Sequence, residues 1–432
     1  MSAVGLGMVP KSFRNSVVWA IVCLLSLGAN VHAALVSLGE LEKAVEGANP
    51  GDLIEIAPGV GRDIELELVG KGTADAPVVI RAAEAGTVVL SGESGIELKG
   101  EHLVLEGLWF REGEAPGKTV IALEGRYLRV TNTVIDSYNP ADPESREDKW
   151  ISLRGQFHRV DHCTFFNKTS KSVTLTVWRE KGVPDHHVIE KNHFHTRPRG
   201  AGSNGYETIR IGTSEESESD SMTAVRANLF ENCDGEMEAV SVKAGRCLIE
   251  GNTFRKCAGT LTLRHGNGSR VTGNLFAGLK KKATGGLRVY GADHFINRNL
   301  FIGLTGRGEA ALALQSGQEK PKLNGYFRAE NLVIEGNLFA ANDGPALKLD
   351  TRFGEDERAQ LPRGIVIRGN TFSGNDLDGL ISGVGEGKVV EAEWEQNQIF
   401  AGNQIPREIT SKFPPPLTKD SAGASWYREH LP

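Results

Sequence analysis

Short apolar runs separated by single polar corners recur through most of this chain. The recurring unit is two apolar residues, a Gly or polar residue, and then Asn-x-Phe. It stands at Asn192 and Phe194, Asn228 and Phe230, Asn252 and Phe254, Asn274 and Phe276, Asn299 and Phe301, Asn337 and Phe339, and Asn370 and Phe372. Weaker copies begin at Asn132, Cys163 and Asn397. The shortest spacings, 22, 24 and 25 residues, lie between Asn228 and Asn299; longer ones of 29 to 38 residues predict loops inserted at one corner of the unit. Runs such as Leu248 and Ile249 or Val366 and Ile367 are short and flanked by Gly and Asn, and a helical period is missing from most of the chain. They read as strands. A unit this small cannot bury its own apolar face, so successive units must stack. The prediction is an all-β, single-domain right-handed parallel β-helix over 34–432, one unit per coil. Asn tolerates left-handed backbone and can bond its neighbours, which suits a corner, and the Phe two residues on should point inward. A leucine-rich horseshoe fits poorly, because the leucine pattern it requires is missing. Leu38 to Val45 reads as a short helix capping the N-terminal edge, which would otherwise expose unpaired strand groups. The polar tail 421–430, after Pro414 to Pro416, should pack on the outside.

The first 33 residues break this pattern. Lys11 and Arg14 precede an apolar run from Val17 to Leu27, too short to span a bilayer comfortably, and small residues surround Ala33. This is the layout of a cleaved signal peptide over 1–33, which predicts a secreted or periplasmic protein with no membrane attachment after cleavage. Removing that segment takes away Lys11 and Arg14 and no acid, so the net charge moves from −6 to −8. An acidic whole disfavours nucleic acid as a partner, and a polyanionic partner would need basic residues gathered in one groove. Cys163, Cys233, Cys247 and Cys257 remain. They are few for the size, and Cys233 and Cys257 fall at matching places in successive units, so stacked core residues explain them as well as a bond does.

Candidate chemistry is concentrated in the middle of the chain. Residues 204–207 (NGYE) precede Glu236, Glu238, Lys243, Arg264 and His265 within about two and a half units. Glu236 and Glu238 are two apart, so a strand would put both carboxylates on one face. With Glu207 and Asn204 from the preceding coil they offer the hard oxygens that Ca²⁺ prefers. Arg210 and Arg288 extend the basic series. An exposed Glu pair is by itself most often a solvated face, and a basic ladder can be surface decoration. The combination of carboxylates, a base and a fixed cation on adjacent coils suits removal of a proton next to a carboxylate.

These residues resemble polysaccharide lyase family 6, the β-helical lyases that include alginate lyases and chondroitinase B. The resemblance is carried by 204–212 (NGYETIRIG), 235–243 (GEMEAVSVK), 263–268 (LRHGNG), 284–294 (TGGLRVYGADH) and, near the N-terminus, 51–59 (GDLIEIAPG). It implies Ca²⁺ held by Asn204, Glu207, Glu236 and Glu238, Lys243 as base, and Arg264 as acid or charge stabiliser. Arg210, Arg288 and His294 are the expected contacts to substrate, and His265 is expected either to contact the substrate carboxylate or to be a satisfied wall residue. The implied reaction is β-elimination on a uronate chain, alginate before dermatan sulfate, since sulfate would call for further arginines such as Arg352 and Arg358. A lysine base works only when neutral, a form that nearby positive charge favours. A two-carboxylate glycoside hydrolase would leave Lys243 and Arg264 without roles. A non-catalytic carbohydrate-binding β-helix would be indifferent to Lys243.

Overall fold

The structure, a computed structural model, describes residues 33–374, 380–385, 388–402 and 407–432. The segment expected to be a signal peptide lies outside them apart from Ala33, which opens the first strand, Ala33–Val36. The coil containing the candidate site runs through Ala224–Arg226, Leu229–Cys233 and Glu238–Lys243 before the next begins at Leu248–Glu250. Repetition of this path builds three parallel sheets among the described residues. The first has 14 strands, the second 13 and the third 12. A two-residue antiparallel pairing of Val384–Gly385 with Lys388–Val389 stands apart from them. This is the expected parallel β-helix. Among the described residues no helix is long and apolar enough to cross a membrane.

Register aligns like with like. Val225, Ile249, Val271, Ile296, Ile334 and Ile367 are partners along the first sheet and all are fully buried. In the second sheet Phe194, Phe230, Phe254, Phe276, Phe301, Phe339 and Phe372 stack, with ring centroids 4.6 to 5.0 Å apart. Each ring removed from water contributes about 1.5–3 kcal/mol, with roughly 0.5–1.5 kcal/mol more from ring–ring geometry.

The corner between the first and second sheets holds two residues in every coil from the strand Arg129–Thr131 onward, and its chemistry differs from the expectation. The left-handed residue is the one before the Asn: Ala227, Gly251, Gly273, Arg298, Gly336 and Gly369 all have φ between 51° and 64°. The Asn side chain instead forms a ladder along the axis. Asn274 Oδ1 accepts from Asn252 N and Nδ2, each at 2.9 Å, and Asn274 Nδ2 donates to Asn299 Oδ1 and Ile249 O, also at 2.9 Å. The same rungs run from Asn192 to Asn397. The weak copy at Asn132 is therefore one residue out of register: Asn132 is the left-handed residue (φ 48°), and Thr133 stands in the ladder position. Because the ladder fixes this corner, insertions go to the other two corners, not to one as expected.

Leu41–Glu46 is the capping helix, entered through a 3-10 turn at Leu38–Glu40 with a capping box between Ser37 and Glu40. It buries Leu41 and Val45 against Glu65–Lys71, the edge strand of the third sheet. The C-terminal segment packs outside the second sheet, as expected, but less polar than it reads. Ala424, Tyr427 and Leu431 are buried with Val134, and Trp109, Phe166 and Trp426 pack on them. Among the described residues, Cys163, Cys233, Cys247 and Cys257 are free and buried.

Candidate active site

The third sheet carries the site, and the ends of its strands divide the charges. Carboxylates enter at the strand starts. Glu207 lies two residues before Ile209–Ile211, and Glu236 sits in the turn before Glu238–Lys243, which Glu238 opens. The two glutamates are thus not consecutive outward positions of one strand. A bulge between Glu238 and Val240 and the turn geometry at Glu236 decide where they point. Gly235 makes that turn possible, since a Cβ there would lie 2.1 Å from Tyr206 O. The close approach lets Glu236 Oε2 accept from Tyr206 N at 3.1 Å. Tyr206 in turn donates through its hydroxyl to Glu144. Asn204 is exposed on the turn leading in.

Glu207 and Glu236 are 1% and 3% exposed, and Glu207 Oε2 is buried without a partner. Burial raises the pKa of both. Glu236 is pushed up to about 8, with the charges of Glu207 and Glu238 adding to the effect. Glu238 has a cation at 3.5 Å, Arg288, whose other nitrogen donates to the Tyr290 hydroxyl at 2.9 Å. Three carboxylates with one guanidinium between them, one oxygen left without a donor, suit a divalent cation bound by oxygen. Glu207, Glu236 and Glu238 lie close enough for Glu207 and Glu238 to raise the pKa of Glu236, and their oxygens are of the kind Ca²⁺ takes; Asn204 stands exposed beside them.

Basic groups gather at the opposite strand ends. Lys243 closes its strand and pairs across a register shift with His265. It is half-buried, and its ammonium makes no hydrogen bond or ion pair among the described residues. Arg264 is held firmly: it donates to Gly325 O at 2.9 Å and lies 4.9 and 4.7 Å from the ring centroids of Tyr290 and Tyr326. Burial lowers its pKa somewhat, and a guanidinium keeps its charge regardless. His265 is buried and its pKa falls to about 3, first through burial and then through Arg264 and Lys243. It is a neutral wall beside the cations. Gly266 (φ 81°) follows, where a Cβ would meet Ala244 C at 2.2 Å, so this corner can close only on glycine.

Arg210 and Arg288 occupy one outward row of the sheet with Thr176, Ser241 and Thr262. Arg210 also lies over Trp178, as do Arg154 and Lys149, at 5.6, 4.6 and 5.7 Å. His294 does not join them. It is fully buried at the corner, Nδ1 accepting from Ser269 N at 3.0 Å and Nε2 bonded to Tyr290 O at 2.9 Å, so neither nitrogen is left for a substrate. Sequence reasoning missed Trp178, Tyr290 and Tyr326. Tyr290 could have been suspected from its place beside Arg288, whereas Tyr326 arrives on a loop with no repeat signal. A concavity of about 480 Å³ opens on the upstream part of this sheet, lined by Glu65, Glu67, Glu97, Lys149, Arg154 and Trp178 among others. The carboxylate trio and Lys243 are outside it, and it lacks their combination of buried acids and an unpaired amine. The site follows those groups, not the deeper hollow.

A separate group, His193, His195 and Glu231, lies on the second sheet with ligand atoms all within 4.8 Å of one another, an arrangement that could hold a metal ion.

Comparison with known proteins shows the family. The chondroitinase B family model matches residues 35–377. The PL6 family alginate lyase AlyGC is similar at 33% identity and a TM-score of 0.84, over 92% of this chain and 59% of that one. The present chain thus spans 59% of AlyGC's length. The PL6 family polysaccharide lyase Pedsa3628 from Pseudopedobacter saltans is similar at 26% identity and a TM-score of 0.83, over 91% of this chain and 99% of that one. A mannuronic acid specific family 6 lyase from human gut microbiota follows at 25% identity and 0.77, over 92% and 97%. No curated protein sequence matches. The chain belongs to the chondroitinase B family of polysaccharide lyases, polysaccharide lyase family 6.

Proposed function

We propose that this protein is an exported lyase that cleaves a uronate polysaccharide, alginate first, by β-elimination at the third-sheet site. The observation that carries the reading is a group of three carboxylates, with Glu207 Oε2 buried and unpartnered, on the same sheet as Lys243, whose ammonium has no partner among the described residues, and the locked guanidinium of Arg264. Asn204, Glu207, Glu236 and Glu238 would hold Ca²⁺. When bound, the ion supplies positive charge beside the substrate carboxylate, where negative charge builds as the C5 proton leaves. Lys243, as the neutral amine, takes that proton. Arg264 cannot turn away, since Gly325 and the two tyrosines hold it, and it serves as a fixed positive charge. The C4–O4 bond then breaks with its electron pair on O4, and the Lys243 ammonium returns the proton to that oxygen. The product carries a 4,5-unsaturated uronate end. Arg210 and Arg288 face the same groove and suit an anionic chain.

Dermatan sulfate is the second reading, favoured by the family model that matches. Two features favour alginate instead. Arg358 is buried against Tyr326 at 3.6 Å and is not open to a sulfate, and Arg352 already pairs with Glu309 and Glu355. AlyGC, at 33% identity, is itself described as an alginate lyase. The export reading rests on the signal-like segment 1–33. The test incubates purified protein with alginate, its mannuronate-rich and guluronate-rich fractions, and dermatan sulfate, following the ultraviolet absorbance of the new C=C bond. Lys243→Ala should abolish the signal, with a loss of at least ~10²–10⁴-fold in kcat. Absence of unsaturated product on every substrate overturns the proposal.

A further inference from the structure

We propose that His193, His195 and Glu231 form a site for a borderline transition-metal ion, Zn²⁺ being the natural occupant, on the outer face of the second sheet. The two histidines alternate with Phe194 on the strand His193–Arg197, so while the ring of Phe194 enters the core stack both imidazoles project outward. Register pairs His195 with Glu231 on the next coil, which brings the carboxylate beside them. One ligand atom from each residue lies within 4.8 Å of the other two. His193 Nε2 already meets Glu231 Oε2 at 2.9 Å. His193 is buried, so its bond to Glu231 is shielded from water, and its Nδ1 has no hydrogen-bond partner that would fix the ring's tautomer. The two rings meet edge-on, 5.2 Å apart at 90°.

The surroundings hold the ligands in place, as outer partners do in metal sites. Arg255 binds Glu231 Oε1 at 2.6 Å and leaves Oε2 facing the histidines. The Thr196 hydroxyl lies 2.6 Å from His195 Nδ1, which makes Nε2 the nitrogen available to an ion. Two imidazoles and one carboxylate suit Zn²⁺ or Co²⁺, whereas Ca²⁺ prefers the all-oxygen set of the third sheet. The ion would displace the proton shared by His193 and Glu231. The place has a structural consequence, because the C-terminal segment crosses the second sheet here. Ala424 N bonds Thr164 Oγ1 and Leu417 N bonds Thr253 Oγ1, each at 3.0 Å. Thr164, His193, Leu229 and Thr253 are consecutive partners along that sheet. The ion would tie two coils together beneath this strap.

The test uses untagged full-length protein freed of metal by a chelator, then saturated with Ca²⁺ to occupy the oxygen site. Zn²⁺ is added in a calorimeter, and Co²⁺ is added separately while the visible d–d absorption is followed. One equivalent of each should bind. His195→Ala, at a partly exposed position, should weaken Zn²⁺ by more than about 10-fold. Glu236→Gln should leave Zn²⁺ binding intact even if it abolishes lyase activity, so this proposal and the lyase reading fail separately. Absence of stoichiometric Zn²⁺ uptake by the wild-type protein overturns the proposal and leaves His193 and Glu231 as an ion pair alone. Equal affinity in His195→Ala overturns it as well.

Discussion

Glu236 is the residue whose chemistry is most sharply displaced, and it makes the metal reading testable without substrate. Its carboxyl is held near pKa 8 in the folded, metal-free protein, against 4.5 in the unfolded chain, because it is buried beside Glu207 and Glu238. The folded state therefore binds more protons than the unfolded one between pH 4.5 and 8, and metal-free stability falls as pH rises through that window. Ca²⁺ requires the ionised carboxylates, so its binding below pH 8 must release a proton. Calorimetry in buffers of different ionisation enthalpy should detect that release at pH 7. Thermal denaturation should find a larger Ca²⁺-induced rise in Tm at pH 8 than at pH 6. Glu236→Gln should lessen the proton release, leaving the part due to Glu207, and remove most of the stabilisation. Equal Ca²⁺ effects at the two pH values would exclude this residue from the metal site. His265 offers a contrast: with a pKa near 3 it stays neutral throughout, so it adds no ionisation to a rate profile above pH 5.

At the level of the repeated element, the stability of the helix is concentrated in the asparagine corner. Asn274→Ala removes four hydrogen bonds at 2.9 Å: the buried Asn252 N–H loses its acceptor, Ile249 O loses a donor, and Asn252 Nδ2 and Asn299 Oδ1 are each left with one partner fewer. At ~1–3 kcal/mol per orphaned buried group, offset in part by relaxation, the expected loss is about 3–5 kcal/mol. Asn397→Ala, on the half-buried last rung, should cost only about 1–2 kcal/mol. Urea unfolding of the two variants would measure the difference, and equal losses would contradict the ladder. The asparagine–phenylalanine period made the fold legible in the sequence, because a 22–25-residue interval admits few stackable units. The interval did not reveal which residue takes the left-handed backbone. Gly251, Gly273, Gly336 and Gly369 suggest the answer, but Ala227 and Arg298 fill the same position and conceal it. That Lys243 and Arg264 stand on adjacent coils could be read from the repeat, but the turn at Glu236 and the register shift at Lys243 could not. Tyr326 was not legible, because it sits in an inserted loop, and His294 misled because a corner histidine and a substrate histidine look alike in sequence.

Over the whole molecule, the segregation of charge decides how a chain of net negative charge could draw in a polyanion. Lys149, Arg154, Arg210, Lys243, Arg264 and Arg288 all belong to the third sheet or the ends of its strands, with Trp178 as an apolar platform among them. Upstream, Glu65, Glu67, Glu97 and Glu124 line the same face, and Lys99 is occupied by Glu67 and Glu97 at 2.8 and 2.7 Å. On the proposed reading, a uronate chain would be attracted to the middle of the sheet and opposed at its N-terminal end. Attraction of this kind acts over the Debye length, about 10 Å at 0.1 M salt and 3 Å at 1 M. Raising NaCl from 0.05 to 0.5 M should therefore increase KM by roughly threefold or more, while kcat, set by groups in direct contact with the sugar, changes little. Arg154 touches Trp178 and lies away from the carboxylate cluster, so Arg154→Ala should reproduce part of that effect: higher KM, nearly unchanged kcat and a weaker salt dependence. Glu97→Gln should act in the opposite sense, lowering KM by easing repulsion at the upstream end. A KM indifferent to both salt and Arg154 would mean that substrate reaches Lys243 without using the upstream sheet, and that the acidic end places no limit on where the chain lies.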